Sequence, residues 1–172
     1  IMLHGSFAET GMGHGTDRAL VAGLLGEQPD DYGIPNSFQT AAEQGLRFTF
    51  EEIRLRDAHP NSVVLELEGE TGQHLKMQAC SIGGGQIRIE ELNGFPMEAR
   101  CLMDTILVVH KDSPGVLANI AMTLNSAGYN IGNLRLTRTK REGDVITVIE
   151  NDMRVDDGTI QALTEVQDVL KV

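Results

Sequence analysis

The 172-residue chain contains no tryptophan and only 4% aromatic residues, so its interior must be packed from aliphatic side chains, with seven methionines to fill irregular gaps. It has two cysteines, Cys80 and Cys101, too few and too far apart for a Cys-x-x-Cys site or a complete iron–sulfur ligand set. Both are read as buried, reduced thiols, the alternative being a disulfide between them, which would not suit a reducing compartment. Positive charge is scarce too: 14 basic against 25 acidic residues give a net charge of −11, which repels phosphate backbones and anionic membrane surfaces. Nucleic-acid and membrane partners are therefore not expected. No apolar run approaches the roughly 20 residues of a membrane span and no basic-then-apolar leader opens the chain, so a cytoplasmic location is expected. The five histidines form no His-x-x-x-His or Glu-x-x-His pair, and no metal is expected on this chain.

What the chain does have is a 41% hydrophobic content, enough for packed cores in one or two domains. The most informative stretch is 105–136. Thr105 to Val109 is a continuous apolar, mostly β-branched run, the pattern of a strand buried on both faces. Asp112 and Ser113 offer helix-capping oxygens, and Pro114 suits a first helical turn. Leu117, Ile120, Ala121 and Leu124 then recur along one helical face until Gly128, where a C-terminal glycine would end the helix. A second strand is expected from Asn130, a polar hairpin turn at Lys140 to Asp144, and a third strand at Val145 to Glu150. Asp156 and Asp157 open a helix carrying Ile160, Leu163 and Val166, and Val169 to Val172 can add a last strand.

Through its Asp112-Ser113-Pro114-Gly115 turn and this element order, the region 99–172 resembles the ACT domain, a ferredoxin-like βαββαβ module. In many proteins of amino-acid metabolism that module binds a free amino acid as a regulatory signal.

Residues 1–98 read as a separate domain that opens on LHGSFAET, a strand apparently cut at its front. Gly11-Met12-Gly13-His14-Gly15-Thr16-Asp17 feeds a helix bearing Ala19, Leu20, Val21, Leu24 and Leu25 and ending near Gly26. Such a loop exposes orphan N–H groups and the positive end of a helix dipole to a carboxylate or phosphate, or it is simply a turn before a capped helix; the residues alone leave both open. A short helix is expected over 36–44, capped by Asn36 or Ser37 and stopped at Gly45. Strands follow at Leu46 to Ile53, Ser62 to Glu68, His74 to Ile82 and Gln86 to Leu92, with turns at His59-Pro60-Asn61 and Gly83-Gly84-Gly85. Asn93 to Met103 is read as the interdomain connection. Helices early and strands late indicate an α+β layer over a mostly antiparallel sheet.

Taken together, HGSFAET, GHGTD, HPN, SIGGG and ELNGF, in that order, resemble the beta chain of bacterial iron–sulfur-dependent L-serine dehydratase. The resemblance implies an allosteric substrate binding domain of α/β type over 1–98, shared with some D-3-phosphoglycerate dehydrogenases, followed by the ACT domain. Family members usually begin earlier, with a Ser-Ser-His-Thr segment that is absent here. The resemblance also implies a partner alpha chain that carries a [4Fe-4S] cluster, with L-serine converted to pyruvate and ammonia. In the first domain it suggests that backbone N–H groups of Gly15, Thr16 and Asp17 receive a serine carboxylate. The Asp17 side chain would meet the ammonium group, Asn61 would contact the ligand, and His14 and His59 would orient it or shuttle protons. In the second domain His110, Asp112 and Asn130, with backbone at Pro114, Gly115 and Ile131, would form an amino-acid site between two subunits. Without a ligand, Asp112 reads as a cap and Asn130 as a turn residue. A homodimer is expected from the unpaired edges of a small sheet. Two alternatives stay open: a serine-binding regulatory fragment of an NAD-dependent D-3-phosphoglycerate dehydrogenase, or a stand-alone amino-acid sensor.

Overall fold

The structure is a computed structural model and describes residues 1–138 and 143–172. The hairpin turn expected at Lys140 to Asp144 thus falls, at 140–142, outside the described residues. The chain divides into two compact units, Ile1–Gly85 and Gln86–Val172, each described by itself.

The first unit opens with β1 (Met2–Gly5), α1 (Ser6–Thr10), a 3-10 turn at Met12–His14, and α2 (Thr16–Leu24). A second 3-10 turn at Ile34–Asn36, α3 (Ser37–Glu43), β2 (Glu51–Ile53), β3 (Asn61–Glu68) and β4 (His74–Gly83) complete it. Its strands run in the order β2-β1-β3-β4, antiparallel except for the β1–β2 pair. The central strand β3 has Ser62, Val63, Val64 and Leu65 all buried, as are Val21 and Ala22 of α2 and Ala41 of α3. Gly26 and Gly45 end α2 and α3 as their positions imply, at φ 87° and 77°. Each follows a Schellman pattern: Glu27 N–H donates to Ala22 O at 3.0 Å and Leu46 N–H to Ala41 O at 2.9 Å. Asn36 holds the N-cap position of α3, but no side chain caps it.

The strand expected over 46–53 shrinks to Glu51–Ile53. Leu46 is committed to the helix cap, and Phe48 and Phe50 turn onto Phe38, with ring centroids 5.0 and 6.2 Å away. An aromatic cluster thus takes the place of strand pairing.

The second unit begins with β5 (Gln86–Leu92) and β6 (Phe95–Ala99), and continues through β7 (Asp104–Lys111), α4 (Val116–Ser126) and β8 (Ile131–Arg138). It ends with β9 (Asp144–Asn151), α5 (Asp157–Thr164) and β10 (Val169–Lys171). From β7 onward this is βαββαβ, in an antiparallel sheet of order β10-β7-β9-β8. Val108 and Ile149 face the helices, where they pack with Val116, Ile120, Leu124 and Leu163. On the opposite face Leu107, Val109, Ile146 and Val148 pack against Met97 and Ala99 of the β5–β6 hairpin. Covering both faces is why β7 is apolar at successive positions.

That hairpin corrects the reading of Asn93 to Met103 as a plain connection. Asn93 and Gly94 both take positive φ, 51° and 81°, the conformation of a two-residue hairpin turn. Three further corrections concern single residues. Pro114 precedes α4 rather than joining its first turn; Gly115, at φ 89°, is the N-cap, and no side chain caps the helix. Strand β8 starts at Ile131, one residue after Asn130. Cys80 is buried as expected but Cys101 is exposed, and neither is in a disulfide. Asp156 does cap α5, accepting the Thr159 N–H at 2.8 Å.

Candidate functional site

In the first unit the HGS and HPN motifs meet at one end of the sheet, built by the carboxyl end of β1 and the amino end of β3, and SIGGG continues from the neighbouring end of β4. Gly5 lies opposite Asn61, and Ser62 opposite Cys80. Gly5 takes φ 57°, ψ −127°, a region only glycine adopts at ease. A Cβ there would stand 2.4 Å from Pro60 O, which also accepts the Ser6 N–H at 2.8 Å. The HGS and HPN motifs are therefore backbone neighbours. Asn61 N–H donates to His59 Nδ1 at 3.1 Å, and the fully buried Ser62 hydroxyl donates to His59 O at 2.6 Å. Nδ1 is thus an acceptor, and the ring proton sits on Nε2. On the neighbouring strand, Ser81–Gly85 ends in three successive glycines of positive φ.

The GHGTD segment is wound tightly. At Gly11 a Cβ would meet Phe7 O at 2.3 Å, the chain then turns through Met12–His14, and Gly15 at φ 73° delivers it into α2. His14 is exposed, with Nδ1 2.9 Å from Thr10 O, a carbonyl to which it can only donate. Gly15 N–H donates to Met12 O at 3.3 Å and Thr16 N–H to Gly11 O at 2.9 Å, so two of the three backbone donors expected for a carboxylate are already engaged.

Asp17 is different. It sits in the first turn of α2 with only 7% of its surface exposed, on the same face as the buried Val21 one turn later. Its Oδ1 is buried and has no hydrogen-bond partner. A buried carboxylate costs several kcal/mol unless a cation or donors compensate it, and the helix dipole offsets only part of that. The arrangement suits a small cationic group. Sequence reasoning singled out Asp17, His59 and Asn61 but missed Gly5, whose close approach ties β1 to the HPN turn, and Gly11, which packs the GHGTD turn on Phe7.

The residues of the second candidate site are not all brought together. His110 is buried, with Nδ1 2.7 Å from Lys111 O and Nε2 2.8 Å from the buried Thr147 hydroxyl, so both ring nitrogens are used internally. Asp112 pairs with Arg138, whose Nε donates to Oδ2 at 2.7 Å, and this guanidinium holds the Asp112 carboxyl below its ordinary range. Pro114 has no N–H and can offer only its carbonyl. Asn130 donates to Asp152 Oδ2 at 2.6 Å. Lys111 pairs with Asp144, and Arg138 with Val145, at one end of the sheet, whereas Ile131 lies opposite Asn151 at the other. Within one chain, Asp112, Gly115 and His110 are thus separated from Asn130 and Ile131 by about seven strand residues, roughly 23 Å.

Among the described residues, no group of three or more His, Cys, Asp or Glu side chains is placed to hold a metal ion, and no helix is long and apolar enough to cross a membrane.

Family models match a segment of each unit. The family model described as the serine dehydratase beta chain matches residues 1–47, and the ACT domain model matches 105–168. The chain is similar to the L-serine dehydratase beta chain of Peptoniphilus asaccharolyticus, 38% identical over 96% of this chain and 75% of the relative. It is 35% identical to the probable L-serine dehydratase beta chain of Bacillus subtilis (strain 168), over 100% of this chain and 78% of the relative. Similarity to the D-3-phosphoglycerate dehydrogenase of Synechocystis is weaker, 27% identity over 96% of this chain and 30% of that protein's length.

Proposed function

The chain belongs to the family of L-serine dehydratase beta chains, and from that premise we propose that it is the substrate-positioning and regulatory subunit of an L-serine ammonia-lyase. The reaction removes the α-proton and the β-hydroxyl of L-serine, and the resulting enamine is hydrolysed to pyruvate and ammonia. An alpha chain completes the enzyme. On this reading a [4Fe-4S] cluster resides on that alpha chain; the residues of the present chain do not fit it, because Cys80 is buried in β4 and no ligand cluster forms among the described residues.

The observation that carries the reading is Asp17. Its buried Oδ1, without a hydrogen-bond partner, is matched by the ammonium group of an α-amino acid, and the Gly5–Pro60 junction separately anchors His59 and Asn61 at the end of the first unit's sheet. His59 Nε2–H and the Asn61 side-chain amide make no hydrogen bond among the described residues and remain for the ligand's carboxylate and hydroxyl. His14, exposed and held only through Nδ1, orients the ligand or relays a proton from solvent.

The ACT unit acts as a second amino-acid site that forms between two copies. Strand β8 is an open sheet edge. Antiparallel pairing of two β8 strands about a two-fold axis would bring Asn130 and Ile131 of one copy to Asp112, Gly115 and His110 of the other. The chain would then be a homodimer in the cytoplasm.

The test is pyruvate formation from L-serine, measured anaerobically with this chain, a candidate alpha chain, and the two mixed. Activity only in the mixture is expected. No activity in the cluster-loaded mixture defeats the proposal.

A further inference from the structure

We infer that Arg138 is a recognition residue of the ACT unit, receiving the carboxylate of the amino acid whose ammonium group goes to Asp112. This rests on the proposed amino-acid site in that unit and adds a residue to it.

The argument begins with reach. Arg138 is the last residue of β8 and lies in register with Val145 of β9, which in turn pairs with His110 of β7. Its guanidinium crosses β9 to meet Asp112 just beyond β7, a span of two strand spacings, about 10 Å. The charge at the mouth of the Asp112–Gly115 loop is therefore supplied from the opposite edge of the sheet. Among the described residues at this end, Lys111 pairs with Asp144 at 2.6 Å.

An α-amino acid carries an ammonium and a carboxylate on one carbon. The Asp112–Arg138 pair presents the complementary anion and cation, joined at 2.7 Å with a second, 3.5 Å approach between Arg138 Nη2 and Asp112 Oδ1. Both side chains face solvent, at 39% and 72% exposure. Exposed pairs of this kind contribute little and open readily. A zwitterion inserted between them replaces one ion pair with two, and a guanidinium suits a carboxylate because its fork of donors matches the two oxygens. The buried His110, occupied at both nitrogens, supports the loop from beneath rather than meeting the ligand's charge.

Calorimetric titration of the full chain with L-serine and with L-serinamide, which keeps the ammonium but lacks the carboxylate, tests this. Arg138→Gln should weaken L-serine about tenfold at the Asp112-dependent site and leave L-serinamide within about twofold, whereas Asp112→Asn should weaken both. If Arg138→Gln leaves L-serine unchanged or tightens it while Asp112→Asn weakens it, Arg138 is only a competitor and the inference fails while the site stands. Equal weakening of L-serine and L-serinamide by Arg138→Gln assigns it a structural role and also overturns the inference. If neither variant changes either titration, the amino-acid site itself is wrong.

Discussion

The carbonyl oxygen of Pro60 lies 2.4 Å from where a Cβ on Gly5 would stand, and it accepts the next residue's N–H, from Ser6, at 2.8 Å. This contact joins the end of β1 to the turn holding His59 and Asn61, and it depends on a residue without a side chain. Gly5→Ala should destabilise the protein by about 2–4 kcal/mol in urea denaturation, through strain at φ 57° together with the clash. Gly13→Ala is the control. Gly13 has no positive φ and open space around it, so the change should stay within about 0.5 kcal/mol.

Asp17 should trade stability for binding. Its carboxylate is buried without a partner at Oδ1, so Asp17→Asn, which removes the charge and keeps the shape, should stabilise the ligand-free protein by on the order of 1–3 kcal/mol. The same variant should lose L-serine binding at this site in a titration. A variant less stable than the parent would mean that the carboxylate has a partner within the fold.

How much of this was legible in the sequence depended on whether the signal was local. The helix stops at Gly26, Gly45 and Gly128, the Asp156 cap, and the apolar face of Ile120 and Leu124 all follow from residues a few positions apart, and all stand in the structure. The β5–β6 hairpin carries a local signal in Asn93-Gly94, but Pro96 and the charged Glu98 and Arg100 mask the strand that follows it. The shortened strand at 46–53 failed for a different reason. Phe48 and Phe50 favour strands in general, but here they are needed by Phe38, a partner invisible to periodicity. At the sites, residue types could be read but pairings could not. Nothing local reveals that Arg138 reaches Asp112, or that Asn130 belongs to the far end of the sheet.

The two thiols should behave differently. Cys80 is 2% exposed and Cys101 is exposed, so a thiol reagent should modify one cysteine in the native protein and two in denaturant. Cys101 should react slowly at neutral pH. Partial desolvation, and then the negative charge of Glu150, push its thiol above the ordinary value of 9.0 against a hydrogen bond with Thr105. Glu150→Gln should speed the native-state labelling, and an unchanged rate would remove Glu150 as a cause.

Acid sensitivity of the second unit should run in part through Tyr129 and Asp156. The Tyr129 hydroxyl donates to Asp156 Oδ2 at 2.7 Å, Thr159 N–H donates to Oδ1 at 2.8 Å, and Asp156 N–H returns to the Tyr129 oxygen at 3.0 Å. The tyrosine hydrogen bond, and then the Thr159 N–H, lower the carboxyl from its ordinary value of 3.8. The folded value lies below the unfolded one. The stability this group contributes is therefore complete above the unfolded value and is lost as pH falls through the folded one. In urea denaturation, Tyr129→Phe and Asp156→Asn should both lower the midpoint at pH 6. Their deficit relative to the parent should narrow as pH falls below about 4, where the parent's carboxylate takes up its proton. A deficit that stays constant from pH 6 to pH 3 would show that these side chains act through packing alone, not through the charge at the start of α5.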